Sequence, residues 1–144
     1  MKKYKIGFTA GVFDLFHVGH LNLLERCKEQ CDYLIVAVCG DDYVKNIKHK
    51  EAIYNEQDRI RILKSLKCVD EVVSISIEAT ENKMLAQSQY KFDVLFSGDD
   101  WKGTERYLKT ENEFEKIGVK IEYLSYTKGI STTEIKKKIL ENNK

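Results

Sequence analysis

Gly11-Val12-Phe13-Asp14-Leu15-Phe16-His17-Val18-Gly19-His20 joins an apolar run, Tyr4 to Ala10, to a stretch in which His20, Leu23, Leu24, Cys27 and Cys31 recur at spacings of three and four. A strand therefore runs into a glycine-bearing turn, and the turn opens a helix with two histidines in its first turn. The first-turn N–H groups of a helix have no intrahelical partner and the helix dipole is positive there, so the arrangement suits a phosphate chain. Gly11 and Gly19 lack a Cβ and allow close approach to the backbone. His17 and His20, three residues apart, share a helical face.

Outward from this stretch, strands and helices alternate. The first strand is followed by a helix from about Val18 to Gln30, and Tyr33–Cys39 is a continuous apolar run, as expected of a strand buried on both faces. Gly40-Asp41-Asp42 closes that strand, and a polar, lysine-rich segment runs from Val44 to Ala52. Asn55 reads as the cap of a helix whose buried side is Ile60, Leu63 and Leu66. Glu71–Ile77 reads as a strand, Glu81–Gln89 as a helix, Asp93–Ser97 as a strand, and Thr104–Ile117 as a helix with Gly118 as its C-cap. Val119–Leu124 is a last strand, and Ser131 to Leu140 a last helix whose Ser131-x-x-Glu134 fits a capping box. Repeated β-α units predict an α/β fold, a Rossmann-like doubly wound sheet of about five mainly parallel strands with helices on both faces. Ligands bind outside the carboxyl ends of such strands, where Asp14, His17, Asp41, Asp99 and Thr127 to Thr133 fall.

Composition bounds the rest. A chain of 144 residues, 42% hydrophobic and 33% charged, fits one domain, residues 1–144, with a real core. A net charge of +1 gives no overall field for nucleic acid or an anionic membrane, and no apolar run approaches a membrane span, so a cytoplasmic protein is expected. Cys27, Cys31, Cys39 and Cys68 form no C-x-x-C pair and read as reduced packing residues. Lys136-Lys137-Lys138 reads as a solvated helix face.

The Gly-Val-Phe-Asp-Leu-Phe-His-x-Gly-His stretch resembles the nucleotidyltransferase motif of the cytidylyltransferase family. Three more blocks match in order: Val69-Asp70-Glu71-Val72, Gly98-Asp99-Asp100-Trp101-Lys102-Gly103 and Thr127-Lys128-Gly129-Ile130-Ser131-Thr132-Thr133. The similarity runs from Ile6 to about Lys137 and is greatest to the branch acting on glycerol-3-phosphate. It implies transfer of CMP from CTP to a small phosphomonoester, giving a CDP-alcohol of the kind used for wall or capsule polymers, with Mg²⁺ carried on the phosphates rather than by protein side chains, in a homodimer.

The resemblance also implies roles for particular residues. His17, His20, Lys48, Ser131 and Thr132 hold the reacting phosphates, and Arg59 meets the acceptor phosphate. Ala10 to Asp14, Gly19, Asp99, Gly129, Ile130 and Thr133 line the nucleotide, with the Gly-Ile-Ser-Thr-Thr form pointing to CTP. Lys50, Lys67, Trp101, Tyr126 and Thr127 fall on the acceptor side. Taken on their own, the two histidines read as a cap and a packed side chain, Asp14 as an acceptor for turn N–H groups, the lysines as a solvated loop and Arg59 as a surface arginine. One residue inserted relative to the glycerol-phosphate branch leaves open whether Lys48 or Lys50 is the loop lysine. The family arginine before Val-Asp-Glu-Val falls at Lys67, and the one before Thr127 falls at Tyr126, which carries no charge. The alternatives are a cytidylyltransferase for another alcohol phosphate (phosphocholine, phosphoethanolamine or another polyol phosphate), an adenylyltransferase, and a nucleotide-binding regulatory module without turnover.

Overall fold

The first strand, β1 (Tyr4–Gly11), lies at the centre of the sheet in a computed structural model that describes residues 2–143. It pairs in parallel with β2 (Cys31–Cys39) on one side and β4 (Val94–Gly98) on the other. Outside these, β3 (Glu71–Ile75) pairs with β2 and β5 (Lys120–Leu124) with β4, giving the all-parallel order β3-β2-β1-β4-β5. The chain leaves β1 toward β2 and returns later to its other side at β4, so the strand order reverses between β1 and β4. A crevice opens at such a point, because the connections on either side turn away from one another.

The apolar run of β2 is continuous because both its faces are covered. Leu34, Val36 and Val38 face a core with Leu24 and Cys27 of α1 (Val18–Gln30) and Leu63 of α3 (Glu56–Lys64). Ile35, Ala37 and Cys39 face a second core with Ala79 of α4 (Ile77–Glu81), Ala86 of α5 (Lys83–Tyr90) and Phe114 of α6 (Glu105–Glu115). The expected helices on both faces are thus present, and all four cysteines are free thiols, three of them buried. Burial raises the Cys27 and Cys39 thiols, as expected of packing residues.

Three local readings are corrected. The polar stretch after β2 is not all loop: α2 (Asp41–Asn46) begins directly at Gly40, with Asp41 and Asp42 in its positive first turn and Val44 buried beneath it. The strand expected to reach Ile77 stops at Ile75, because Ser76 caps α4 by accepting the Ala79 N–H. The helix expected from Glu81 to Gln89 is two helices. Asn82 ends α4 by donating its N–H to Glu78 O and starts α5 by accepting the N–H groups of Met84 and Leu85. The last helix, α7 (Thr132–Asn142), has Ser131 as its cap. Among the described residues, no helix is long and apolar enough to cross a membrane.

Candidate active site

The turn after β1 is held in an uncommon conformation. Phe13 and Leu15 both have positive φ, 55° and 49°. Left-handed backbone at a bulky residue costs on the order of 1 kcal/mol or more and persists only where its surroundings enforce it. Asp14, between them and buried, supplies that enforcement. Its Oδ1 accepts the N–H groups of Leu15 and Tyr54 and its Oδ2 accepts that of Ile53. Asp14 therefore ties the turn to the loop before α3. Its carboxylate accepts three backbone N–H groups and braces the turn from a position on the wall of the second cleft described below.

α1 starts on a capping box built from two imidazoles. His17 Nδ1 accepts the Gly19 N–H at 3.0 Å and His20 Nδ1 accepts the His17 N–H at 3.2 Å. The rings stack with centroids 3.9 Å apart. Because Nδ1 is an acceptor in both rings, each neutral imidazole carries its proton on Nε2. His17 Nε2 is buried with no hydrogen-bond partner. A buried donor left unpaired costs about 1–3 kcal/mol, so one in a native turn calls for a ligand. Burial lowers the pKa of both rings; for His20, with His17 adding to the effect, it falls to about 4. Both are neutral N–H donors at pH 7.

Gly19 is required by this cap. A Cβ there would lie 2.8 Å from His17 Cε1 and 3.2 Å from Ile130 Cγ2. The same contact shows where α7 begins: Ile130 lies against the histidine turn. Thr132 Oγ1 donates to Asp14 O at 2.8 Å, and Asn22 Nδ2 donates to Thr127 Oγ1 at 3.3 Å. Thr127 thus docks the approach to α7 onto α1. Ser131 Oγ caps α7 by accepting the Glu134 N–H, and Gly129 turns the chain into it at φ 81°.

Two clefts meet at His20. The first, of about 280 Å³, opens at the β1/β4 switch point over Ala10, Gly11, Val12 and Gly98, with Lys48, Trp101 and Tyr126 around it. The second, of about 210 Å³, is lined by Asp14, His20, Lys48, Lys50, Thr132 and Lys136. Val12, Phe13, His20 and Lys48 line both. Lys48 therefore stands where the clefts join, and Lys50 borders only the second. His17, Gly19, Ile130 and Ser131 line neither cleft. Asp99 and Thr133 are exposed and line neither cleft.

Arg59, expected at the acceptor phosphate or at the surface, is buried against protein acceptors. It is 1% exposed; its Nε donates to Tyr54 O, its Nη1 to Val12 O and Cys39 O, and its Nη2 to Asp41 Oδ1 at 2.6 Å. It clips the carboxyl ends of β1 and β2 together beneath the site. Lys67 is exposed and lies between α3 and β3, at the amino ends of the strands, because the next residues enter the sheet there: Asp70 N donates to Leu34 O. In this chain it is at the rim opposite the clefts.

Other lining residues carried no sequence signal. Lys83 and Arg106 reach the first cleft from α5 and α6, and Lys136 reaches the second from α7. Lys136 is one of three lysines read as a solvated face, and the helical period that could have separated it from its neighbours is one residue wide. Among the described residues, no group of three or more His, Cys, Asp or Glu side chains is placed to hold a metal ion.

Comparisons with known proteins agree with this geometry. Residues 8–138 match the family model described as cytidylyltransferase-like. The glycerol-3-phosphate cytidylyltransferase of Bacillus subtilis (strain 168) is 40% identical over 131 residues, covering 91% of this chain and 94% of that protein. The enzyme of the same name from Staphylococcus aureus (strain NCTC 8325 / PS 47) is 38% identical over 131 residues, 91% of this chain and 92% of that one. Among solved structures, the lipopolysaccharide core biosynthesis protein of Thermoplasma volcanium GSS1 superposes with a TM-score of 0.70 at 26% identity, covering 88% of this chain and 99% of that one. A parallel sheet with its crevice at β1/β4, a histidine-capped first helix at that crevice and a match spanning most of the chain place this protein in the cytidylyltransferase-like family of nucleotidyltransferases.

Proposed function

We propose that this protein transfers CMP from CTP to glycerol-3-phosphate, releasing pyrophosphate and giving CDP-glycerol. The observation that carries the reading is the pair of Nε2–H donors of His17 and His20 set against the start of α7. The relatives of nearly equal length that bear this activity in their names support it.

An oxygen of the acceptor phosphate forms a bond to the α-phosphorus of CTP while the bond to the pyrophosphate oxygen breaks on the opposite side. A phosphate dianion is already a nucleophile and needs no general base. Catalysis then consists of alignment and of charge stabilisation. The two imidazole Nε2–H groups donate to phosphate oxygens as charge moves onto the leaving group. Thr132 and the first-turn N–H groups of α7 take the distal phosphates, with Lys48, Lys50 and Lys136 supplying positive charge along the second cleft. The cytidine lies toward the first cleft, past Gly11 and Gly98.

Mg²⁺ belongs to this reading as a companion of the triphosphate, supplying charge neutralisation on its oxygens; Asp14, whose carboxylate accepts three backbone N–H groups, is not left free to bind it. The assembly proposed with it, on the family resemblance, is a homodimer. Pyrophosphate release is measured with CTP or ATP, Mg²⁺ and a panel of glycerol-3-phosphate, phosphocholine and phosphoethanolamine. Release with CTP and glycerol-3-phosphate is expected, and none with any pairing of CTP and acceptor refutes the proposal. A different alcohol phosphate is the second reading, favoured by the uncharged Tyr126 on the cleft wall.

A further inference from the structure

Three contacts run along one face of α1. Arg26 Nη1 donates to Ser125 O at 2.8 Å, Asn22 Nδ2 donates to Thr127 Oγ1 at 3.3 Å, and Ile130 lies against Gly19. Gly19, Asn22 and Arg26 stand three and four residues apart, so they form a single stripe on the helix. Their partners follow in the opposite order, Ile130, Thr127 and Ser125. The segment leaving β5 therefore runs antiparallel to α1, down to the histidine turn, and delivers the start of α7 there. The spacings agree: four helical residues rise about 6 Å, and two residues of extended chain reach about 7 Å.

α7 depends on this track for its place. None of its residues is buried, and Ile139 and Leu140 are exposed, so apolar packing contributes little to holding it. Residues 125–131 belong to no strand or helix, so their path is set by the groups they meet. At the far end, Thr132 Oγ1 donates to Asp14 O. At the near end stands Arg26, half-buried and in no ion pair among the described residues. Its guanidinium gives the Ser125 carbonyl a charge-assisted bond, stronger than a neutral one.

We propose that Asn22 and Arg26 are positioning residues for the nucleotide: by holding Ser125 and Thr127 on α1 they keep the N-terminus of α7 beside the histidine turn, where the triphosphate is received. This rests on the transfer reading above. Neither residue lines a cleft, so each acts through α7. Losing either bond lets α7 leave its seat in a fraction of the molecules. Affinity for a ligand that needs the seated helix falls with the seated fraction, and the bound ligand reseats the helix. The signature is a raised KM for CTP with kcat preserved. Simple loss of folded protein does the reverse, lowering kcat and leaving KM alone.

The test has two arms. In steady-state pyrophosphate release, Arg26→Met is expected to raise the KM for CTP about tenfold, the scale of one hydrogen bond from a charged donor, with kcat and the KM for glycerol-3-phosphate within about twofold. Asn22→Ala is expected to raise the KM for CTP about threefold, and Arg26→Lys to recover part of the loss of Arg26→Met. An unchanged KM for CTP in Arg26→Met, or a fall in kcat at constant KM, overturns the assignment. The second arm needs no turnover: backbone hydrogen exchange is followed by mass spectrometry without nucleotide. Exchange in α7 is expected to be several-fold faster in Arg26→Met than in the wild type, with α1 unchanged. Equal exchange of α7 in the two proteins refutes the tether. If the wild type releases no pyrophosphate, the transfer reading fails by itself, and the exchange measurement still decides whether Arg26 holds α7.

Discussion

The N–H of His17 is bonded to the ring of His20, while the ring of His17 is bonded to the N–H of Gly19. One pair of side chains therefore closes the first turn of α1 with its Nδ1 atoms and leaves both Nε2–H groups for another partner. Cap and site are two ends of the same rings. Replacing His17 by Asn separates them, because Asn offers an oxygen acceptor near the place of Nδ1 and nothing at Nε2. His17→Asn is expected to keep stability within about 0.5 kcal/mol and to lower kcat by about a hundredfold or more. Urea unfolding and pyrophosphate release check the two halves, and a near-native kcat contradicts the role given to Nε2.

The same bonds set a pH dependence. A proton placed on Nδ1 of either ring turns an acceptor into a donor facing an N–H. The folded pKa of His20 is depressed to about 4. Between the ordinary histidine value and about 4 the unfolded chain therefore binds more protons than the folded one, so the stabilisation is complete above pH 6.5 and is lost as the pH falls toward 4. The wild type is expected to lose more of its urea midpoint between pH 7 and pH 4.5 than His20→Asn does, the difference removing the contribution of carboxylates. Parallel curves for the two proteins contradict this account.

Arg59 offers a contrasting test. Truncating a buried charge that bonds to three carbonyls and a carboxylate leaves those acceptors without their donor and costs about 3–5 kcal/mol. Arg59→Met is expected to lose stability on that scale, far beyond any variant of Lys48, Lys50 or Lys67, which are all exposed. Denaturant titration of the four variants checks it. A stable Arg59→Met with a raised acceptor KM points instead to direct phosphate contact.

Gly19→Ala is expected to injure structure and activity together. The new Cβ meets the His17 ring at 2.8 Å and Ile130 at 3.2 Å, so the cap and the seat of α7 both shift. Overpacking of this kind costs about 1–3 kcal/mol. Thermal unfolding and the KM for CTP report it, and an Ala variant indistinguishable from wild type in both refutes the contact.

Much of this molecule is legible from local pattern, and the exceptions share a physical cause. The bounds of α1 and the double-faced burial of β2 follow from periodicity, because each is decided by side chains within one element. The site at the carboxyl ends of the strands follows from parallel topology, and the histidine motif marks β1 as its centre. The burial of Arg59 is silent in the sequence because its environment is built by distant carbonyls: Val12 just past the end of β1 and Cys39 at the end of β2 both accept from it, and no spacing within α3 announces that. Lys83 and Arg106 are silent for the same reason, since only the packing of α5 and α6 against the second core turns them into one cleft. Asn82 and Ser76 show the smaller version, where one capping side chain decides an element's end more strongly than the apolar pattern around it.

The claim on which the rest depends is that the Nε2–H groups of His17 and His20 receive the phosphates of CTP. NMR of the protein labelled with ¹⁵N-histidine, titrated with CTP and Mg²⁺, tests it most directly. Both Nε2 signals are expected to shift saturably at a common affinity, with the pKa of His20 rising from about 4 as the bound anion favours the charged ring. Nε2 signals and a His20 pKa that stay unchanged at CTP concentrations saturating the protein would contradict it.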